Sequence, residues 1–107
     1  MIELRRFQLE NEVTPLSEWL RELKDLRARA QIEVRLRRVS AGNFGDCKPV
    51  GEGVSELRID IGAGYRAYFG KHGQLLVILL CAGDKASQQT DINRAKDYWA
   101  DWKRRQL

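Results

Sequence analysis

A chain of 107 residues with 43% hydrophobic and 32% charged side chains has the length of one domain and the composition of a folded globular protein, which excludes a disordered or fibrous one. Its longest apolar run, Leu75 to Ala82, is far short of the roughly 20 residues of a membrane helix, and the opening Met1-Ile2-Glu3-Leu4-Arg5-Arg6 lacks an apolar leader. A single cytoplasmic domain over residues 1–107, without membrane contact, is therefore expected; its net charge is +4, and thirteen of its nineteen basic residues are Arg, whose planar fork suits a polyanionic partner.

Ile2, Leu4 and Phe7 alternate with charged residues and predict a short first strand. Thr14-Pro15 starts a helix, with Thr14 as N-cap and Pro15 in the first turn, and Leu16, Trp19, Leu20, Leu23 and Leu26 follow helical spacing. Ala28, Ile32, Leu36 and Val39 would fall on the opposite side of a continued helix. A break near Lys24–Arg29 is therefore predicted, giving a helical hairpin whose second member ends at a left-handed Gly42. The glycines from Gly42 to Gly53, with Pro49 among them, predict a loop.

From Val54 the period becomes two. Leu57, Ile59 and Ile61 point one way, and Glu56, Arg58 and Asp60 the other. Gly62-Ala63-Gly64 turns the chain into Tyr65–Phe69, making an antiparallel hairpin. A three-residue loop would pair Ile61 with Tyr65, Ile59 with Ala67 and Leu57 with Phe69, and would set Asp60 opposite Arg66 and Arg58 opposite Tyr68. Gly70-Lys71-His72-Gly73 predicts another turn, before Leu75–Leu80, which is apolar on both faces and predicts the central strand. Ser87 is placed as the cap of a last helix carrying Ile92, Ala95, Trp99 and Trp102 on one face. The fold class is thus α+β: an N-terminal strand and helical hairpin on a small antiparallel sheet, with a C-terminal helix.

The strand parity puts Glu56, Arg58, Arg66 and Tyr68 on one polar surface. Two guanidiniums can hold a phosphate, a carboxylate can take a proton and a ring can stack on a base. The plainer account of the same residues is an exposed ladder of cross-strand ion pairs. Lys85 follows the apolar strand, where loops carry function, and Arg35, Arg37 and Arg38 form a basic run on the second helix. Cys47 and Cys81 are distant in sequence and His72 is the lone histidine, so no metal site and no cofactor is expected.

Gly42-Asn43-Phe44-Gly45-Asp46, Lys48 through Ile59, Gly62 through Phe69 and Gly83-Asp84-Lys85-Ala86-Ser87-Gln88-Gln89-Thr90-Asp91-Ile92 resemble the addiction-module killer proteins, a HigB-like branch of the RelE/ParE toxin superfamily. Trp19-Leu20 and the Asp25, Ala28 and Arg29 spacing fit the same pattern. The resemblance implies a toxin of a type II toxin-antitoxin module, silenced by a cognate helix-turn-helix antitoxin. RelE-like members cut mRNA in the ribosome without metal. On that pattern Arg58, Arg66 and Lys85 are the catalytic cations. Glu56 stands where many relatives have lysine and is the candidate base, with Tyr65, Tyr68 and Asp91 as other proton carriers. Lys48, Tyr65, Tyr68, Arg35, Arg37 and Arg38 are the expected RNA contacts. ParE-like relatives instead bind DNA gyrase without being nucleases, and a defective, antitoxin-binding module is a third alternative.

Overall fold

The computed structural model describes residues 1–106. Five strands, β1 (Glu3–Arg6), β2 (Cys47–Gly51), β3 (Val54–Ile59), β4 (Tyr65–His72) and β5 (Leu76–Asp84), form one sheet in the order β1-β5-β4-β3-β2. Helices α1 (Pro15–Glu22) and α2 (Leu26–Ser40) cover one face and α3 (Gln88–Arg105) the other. The fold is α+β as expected. Its sheet is mixed, because β1 joins β5 in parallel while the other pairings are antiparallel. No helix among the described residues is long and apolar enough to cross a membrane.

The two helical stripes separate as their spacing requires. Leu16 and Leu20 of α1 and Ala28, Ile32, Leu36 and Val39 of α2 are buried in the same core layer. Asp25 sits in the break and caps α2 by accepting from Ala28 N–H at 3.0 Å. Leu26, placed in the first stripe by spacing, instead opens α2 and is exposed. At the other end Gly42 N–H donates to Val39 and Asn43 N–H to Arg38. With Gly42 at φ +88°, this is a Schellman cap.

Four further local expectations are corrected. The glycine-rich stretch before Val54 contains β2 rather than loop alone. Pro49 is tolerated there because β2 is the sheet edge, and a bulge follows it. Glu52 and Gly53 turn the chain with φ of +55° and +84°, the left-handed pair of a two-residue hairpin loop.

The β3–β4 register is shifted by two residues from the expected one. Ile59 faces Tyr65, Leu57 faces Ala67, Arg58 faces Arg66 and Glu56 faces Tyr68. Two tight turns cause the shift, Ile61 N–H bonding to Ile59 and Gly64 N–H to Ile61, so the loop holds five residues rather than three. A shift of two leaves every side chain on its expected face.

Gly70 lies inside β4, which runs on to His72. A Cβ at Gly70 would lie 2.5 Å from the Trp99 ring, so this glycine admits an aromatic ring rather than making a turn. The apolar strand β5 is covered on both faces, but the middle place in the sheet belongs to β4. A bulge opposite Tyr68 and Phe69 turns Leu80 and Cys81 both toward α3.

Candidate functional site

On the face toward α3, the apolar half of the layer is filled by Trp99, Trp102, Val54 and Ile78. At the start of α3 the same layer becomes polar, with Glu56, Arg58, Arg66, Tyr68 and Asp91. Glu56 is 0% exposed and Arg66 8%, which overturns the exposed-ladder account. Parity alone could not reveal this, because an alternating strand does not tell whether a helix covers its polar side.

A buried carboxylate must be compensated, and Glu56 is compensated three times. Its Oε1 accepts from Arg58 Nε at 2.9 Å and lies 3.2 Å from Arg66 Nε, and its Oε2 accepts from Gln88 Nε2 at 3.0 Å. One carboxylate thus holds two guanidiniums from adjacent strands, leaving one surplus positive charge. The Arg58 pKa is raised chiefly by its hydrogen bond to Glu56.

Arg66 reaches a cleft of about 360 Å³ lined also by Asp60, Ile61, Gly62, Ala63, Gly64 and Lys85. Lys85 N–H donates to the Gly64 carbonyl at 2.8 Å, tying the lysine to the glycine turn. A Cβ at Gly64 would stand 3.7 Å from Lys85 Cβ and 3.9 Å from Arg66 Nη1, so turn, lysine and arginine converge. Lys48 pairs with Glu56 in the β2–β3 register, which places it on this face, exposed.

The start of α3 is fastened over the cluster. Ser87 Oγ donates to Asp91 Oδ2 at 2.5 Å, and Ser87 N–H donates to Asp84 Oδ1 at 3.1 Å. Ser87 is therefore the residue before α3, as expected, but its hydroxyl ties down Asp91 instead of capping a backbone N–H. The Asp91 carboxylate lies over Gly83, where any Cβ would collide with it. Among the described residues, two buried polar atoms, Arg66 Nε and Tyr68 Oη, have no hydrogen-bond partner. Burial, with the nearby Glu56 and Asp91 charges, drives the Tyr68 pKa well above the tyrosine range. Burial, with Asp91, pushes the Cys81 thiol up to about 12.

The remaining candidates lie elsewhere. Tyr65 points to the opposite face and packs edge-on against Trp19, ring centroids 5.8 Å apart. Arg35 donates to the carbonyls of Arg58 at 2.6 Å and Phe44 at 2.9 Å, so it holds β3 and the loop after α2. Arg37 and Arg38 are exposed on α2, across the sheet from the cleft. His72 sits edge-on to Trp102, on the apolar half of the layer. Among the described residues no group of three or more His, Cys, Asp and Glu is arranged to hold a metal. Gln88, whose role depends on α3 crossing β3, carries no signal in the sequence that would single it out.

Two fixed guanidiniums, a nearby ammonium and a surplus positive charge can bind a phosphate and stabilise added negative charge upon it. Glu56 and Tyr68 are both sealed from solvent, whereas Asp60 is an exposed carboxylate of the cleft.

No known protein-family model matches the chain. It is 55% identical over 78 residues, covering 73% of its own length and 79% of the relative's, to an "Uncharacterized protein" of Haemophilus influenzae. At that identity and coverage, the chain belongs to one family with the Haemophilus influenzae protein.

Proposed function

We propose that this chain is the toxin of a type II toxin-antitoxin module and cleaves mRNA on the ribosome, in the cytoplasm, until a cognate antitoxin covers its basic site. The carrying observation is that one buried carboxylate, Glu56, holds Arg58 and Arg66 together at a cleft that Arg66 shares with Lys85. The motif resemblance supplies the class of reaction. A ribose 2′-oxygen attacks its neighbouring phosphate, the P–O bond to the 5′-oxygen breaks, and a 2′,3′-cyclic phosphate and a 5′-hydroxyl result. Arg66 and Lys85 would meet the phosphorane charge, with Arg58 beside them. Glu56, sealed and triply bonded, suits positioning rather than proton transfer. Asp60, exposed in the cleft, is the carboxylate available to accept the 2′ proton, and the departing 5′-oxygen takes its proton from water.

Induction of the protein followed by primer extension on mRNA tests this reading. Discrete cuts inside translated codons with 5′-hydroxyl ends, insensitive to chelation where ribosomes stay intact, are expected. Lys85→Ala, at an exposed position, and Arg66→Gln should each lower cleavage by about a hundredfold or more. Full toxicity in both folded variants would sink the assignment. The sealing of Glu56 and Tyr68 favours one second reading, a non-enzymatic toxin using the same basic surface to bind DNA gyrase. Intact mRNA with gyrase-linked DNA damage would select it.

A further inference from the structure

Gln88 does not line the Arg66–Lys85 cleft, yet its side chain ends on the one carboxylate that organises both arginines. Glu56 has two oxygens. Oε1 serves Arg58 and Arg66, and Oε2 is engaged by Gln88 Nε2 at 3.0 Å. A carboxylate turned partway about its last torsion would carry Oε1 away from both guanidiniums, and that torsion is soft. Gln88 removes this freedom by giving Oε2 a partner of its own. It does so from the first residue of α3, a segment already fixed by Lys85 N–H on Gly64, Ser87 on Asp84 and Asp91, and Asp91 over Gly83. Among the described residues the Arg66 side chain makes one hydrogen bond, a long one of 3.4 Å to the Tyr65 carbonyl, and its Nε, 3.2 Å from Glu56 Oε1, has no well-aimed acceptor. Its position therefore depends on where Glu56 is held.

We propose that Gln88 is a positioning residue of the basic site: by locking Glu56 Oε2 it sets the placement of the Arg58 and Arg66 guanidiniums, and so the affinity of the cleft for a phosphate group. The inference rests on the basic-site reading for its consequence, but the placement of the arginines is measurable without any cleavage.

The titratable and charged groups around Glu56 and Gln88 are Lys48 on β2, Arg58 on β3, Arg66 and Tyr68 on β4, Cys81 and Asp84 on β5, Lys85 in the turn before α3, and Asp91 within it. Two variants are informative. Gln88→Met keeps the length and the helix propensity of the side chain but cannot donate. Gln88→Glu sets a second carboxylate against Glu56 at neutral pH. As the pH falls through the carboxyl range, the introduced group takes a proton and can donate to Oε2 as the amide did.

The experiment records the Arg Nε–H resonances of the folded proteins by ¹H–¹⁵N NMR and titrates each with inorganic phosphate. In the wild type, the Arg58 Nε–H signal is expected to be protected by its hydrogen bond to Glu56, and the Arg66 Nε–H signal by burial beside that carboxylate. In Gln88→Met both should shift and exchange faster, with phosphate binding about tenfold weaker. In Gln88→Glu both properties should be impaired at pH 7 and recover toward wild type near pH 5. That recovery would not follow from a merely structural contribution of the side chain. Unchanged Arg58 and Arg66 signals in folded Gln88→Met, or a loss in Gln88→Glu that does not recover with acid, would overturn the proposal. Altered arginine signals with no phosphate binding by the wild type would uphold the positioning and instead refute the basic-site reading.

Discussion

At the scale of single residues, the two cysteines have opposite surroundings. Cys47 is exposed on the edge strand, whereas Cys81 is buried beneath α3 with its Sγ–H directed at the Asp91 carbonyl 3.7 Å away. Burial keeps the Cys81 thiol protonated up to about 12, against an ordinary thiol value of about 8.5 in an unfolded chain. The folded protein therefore retains a proton that the unfolded chain releases first. Stability is complete below about pH 8.5 and is lost progressively as the pH rises toward 12. Tyr68, also raised by burial, adds a loss of the same sign above about pH 10. Urea unfolding between pH 8 and 11 should show this decline. Cys81→Ala should be less stable at pH 8 but decline less steeply, and an identical slope in the two proteins would deny Cys81 a share. Iodoacetamide should modify Cys47 in the native protein and Cys81 only on unfolding.

At the scale of elements, α3 is seated by two glycines whose missing side chains make room for it. A Cβ at Gly70 would stand 2.5 Å from the Trp99 ring, and one at Gly83 would collide with the Asp91 carboxylate. Neither glycine has a positive φ, so alanine would suit the backbone and the penalty would be steric alone. Gly70→Ala should force Trp99 away from β4 and destabilise the protein by about 1–3 kcal/mol. Gly83→Ala should cost a similar amount, about 1–3 kcal/mol, while pushing the first turn of α3 off the polar cluster. Chemical denaturation measures both, and a loss below about 0.5 kcal/mol for either would mean that α3 accommodates the methyl group by sliding. The two variants differ in consequence. Gly83→Ala disturbs the end that holds Gln88 on Glu56, and Gly70→Ala disturbs the apolar end.

At the scale of the whole molecule, positive charge lies on both faces of the sheet. The site cations Arg58, Arg66 and Lys85 lie on the α3 side, and Arg37 and Arg38 are exposed on α2 at the other side. The sheet between them separates the proposed chemistry from any electrostatic docking through α2. Arg37→Glu with Arg38→Glu should leave folding intact, since both side chains are exposed. Ribosome co-sedimentation should weaken, and its dependence on salt should become shallower as phosphate contacts are lost. Unchanged co-sedimentation and toxicity would make the end of α2 a solvated surface only. Arg35 belongs to a different class, because its bonds to the Arg58 and Phe44 carbonyls make it part of the frame.

Leu26 apart, periodicity was enough for the two helical stripes, the break between them, the Gly42 cap and the face on which each residue of β3 and β4 lies. Each of these follows from local geometry, from 3.6 residues per turn, from two per pleat, or from the left-handed freedom of one glycine. The co-facing of Glu56, Arg58, Arg66 and Tyr68 was legible for the same reason, since an error of two in register preserves parity. The edge strand β2 was not legible, because Pro49 and the glycines around it read as loop unless a neighbouring strand supplies their pairing. Only tertiary structure decided that the polar face lies beneath α3. It turned an apparent surface ladder into a buried carboxylate shared by two arginines, and it brought Gln88 onto Glu56 from 32 positions away. Whether a face meets water or a helix depends on where a distant segment packs, and the alternation along a strand is the same in either case.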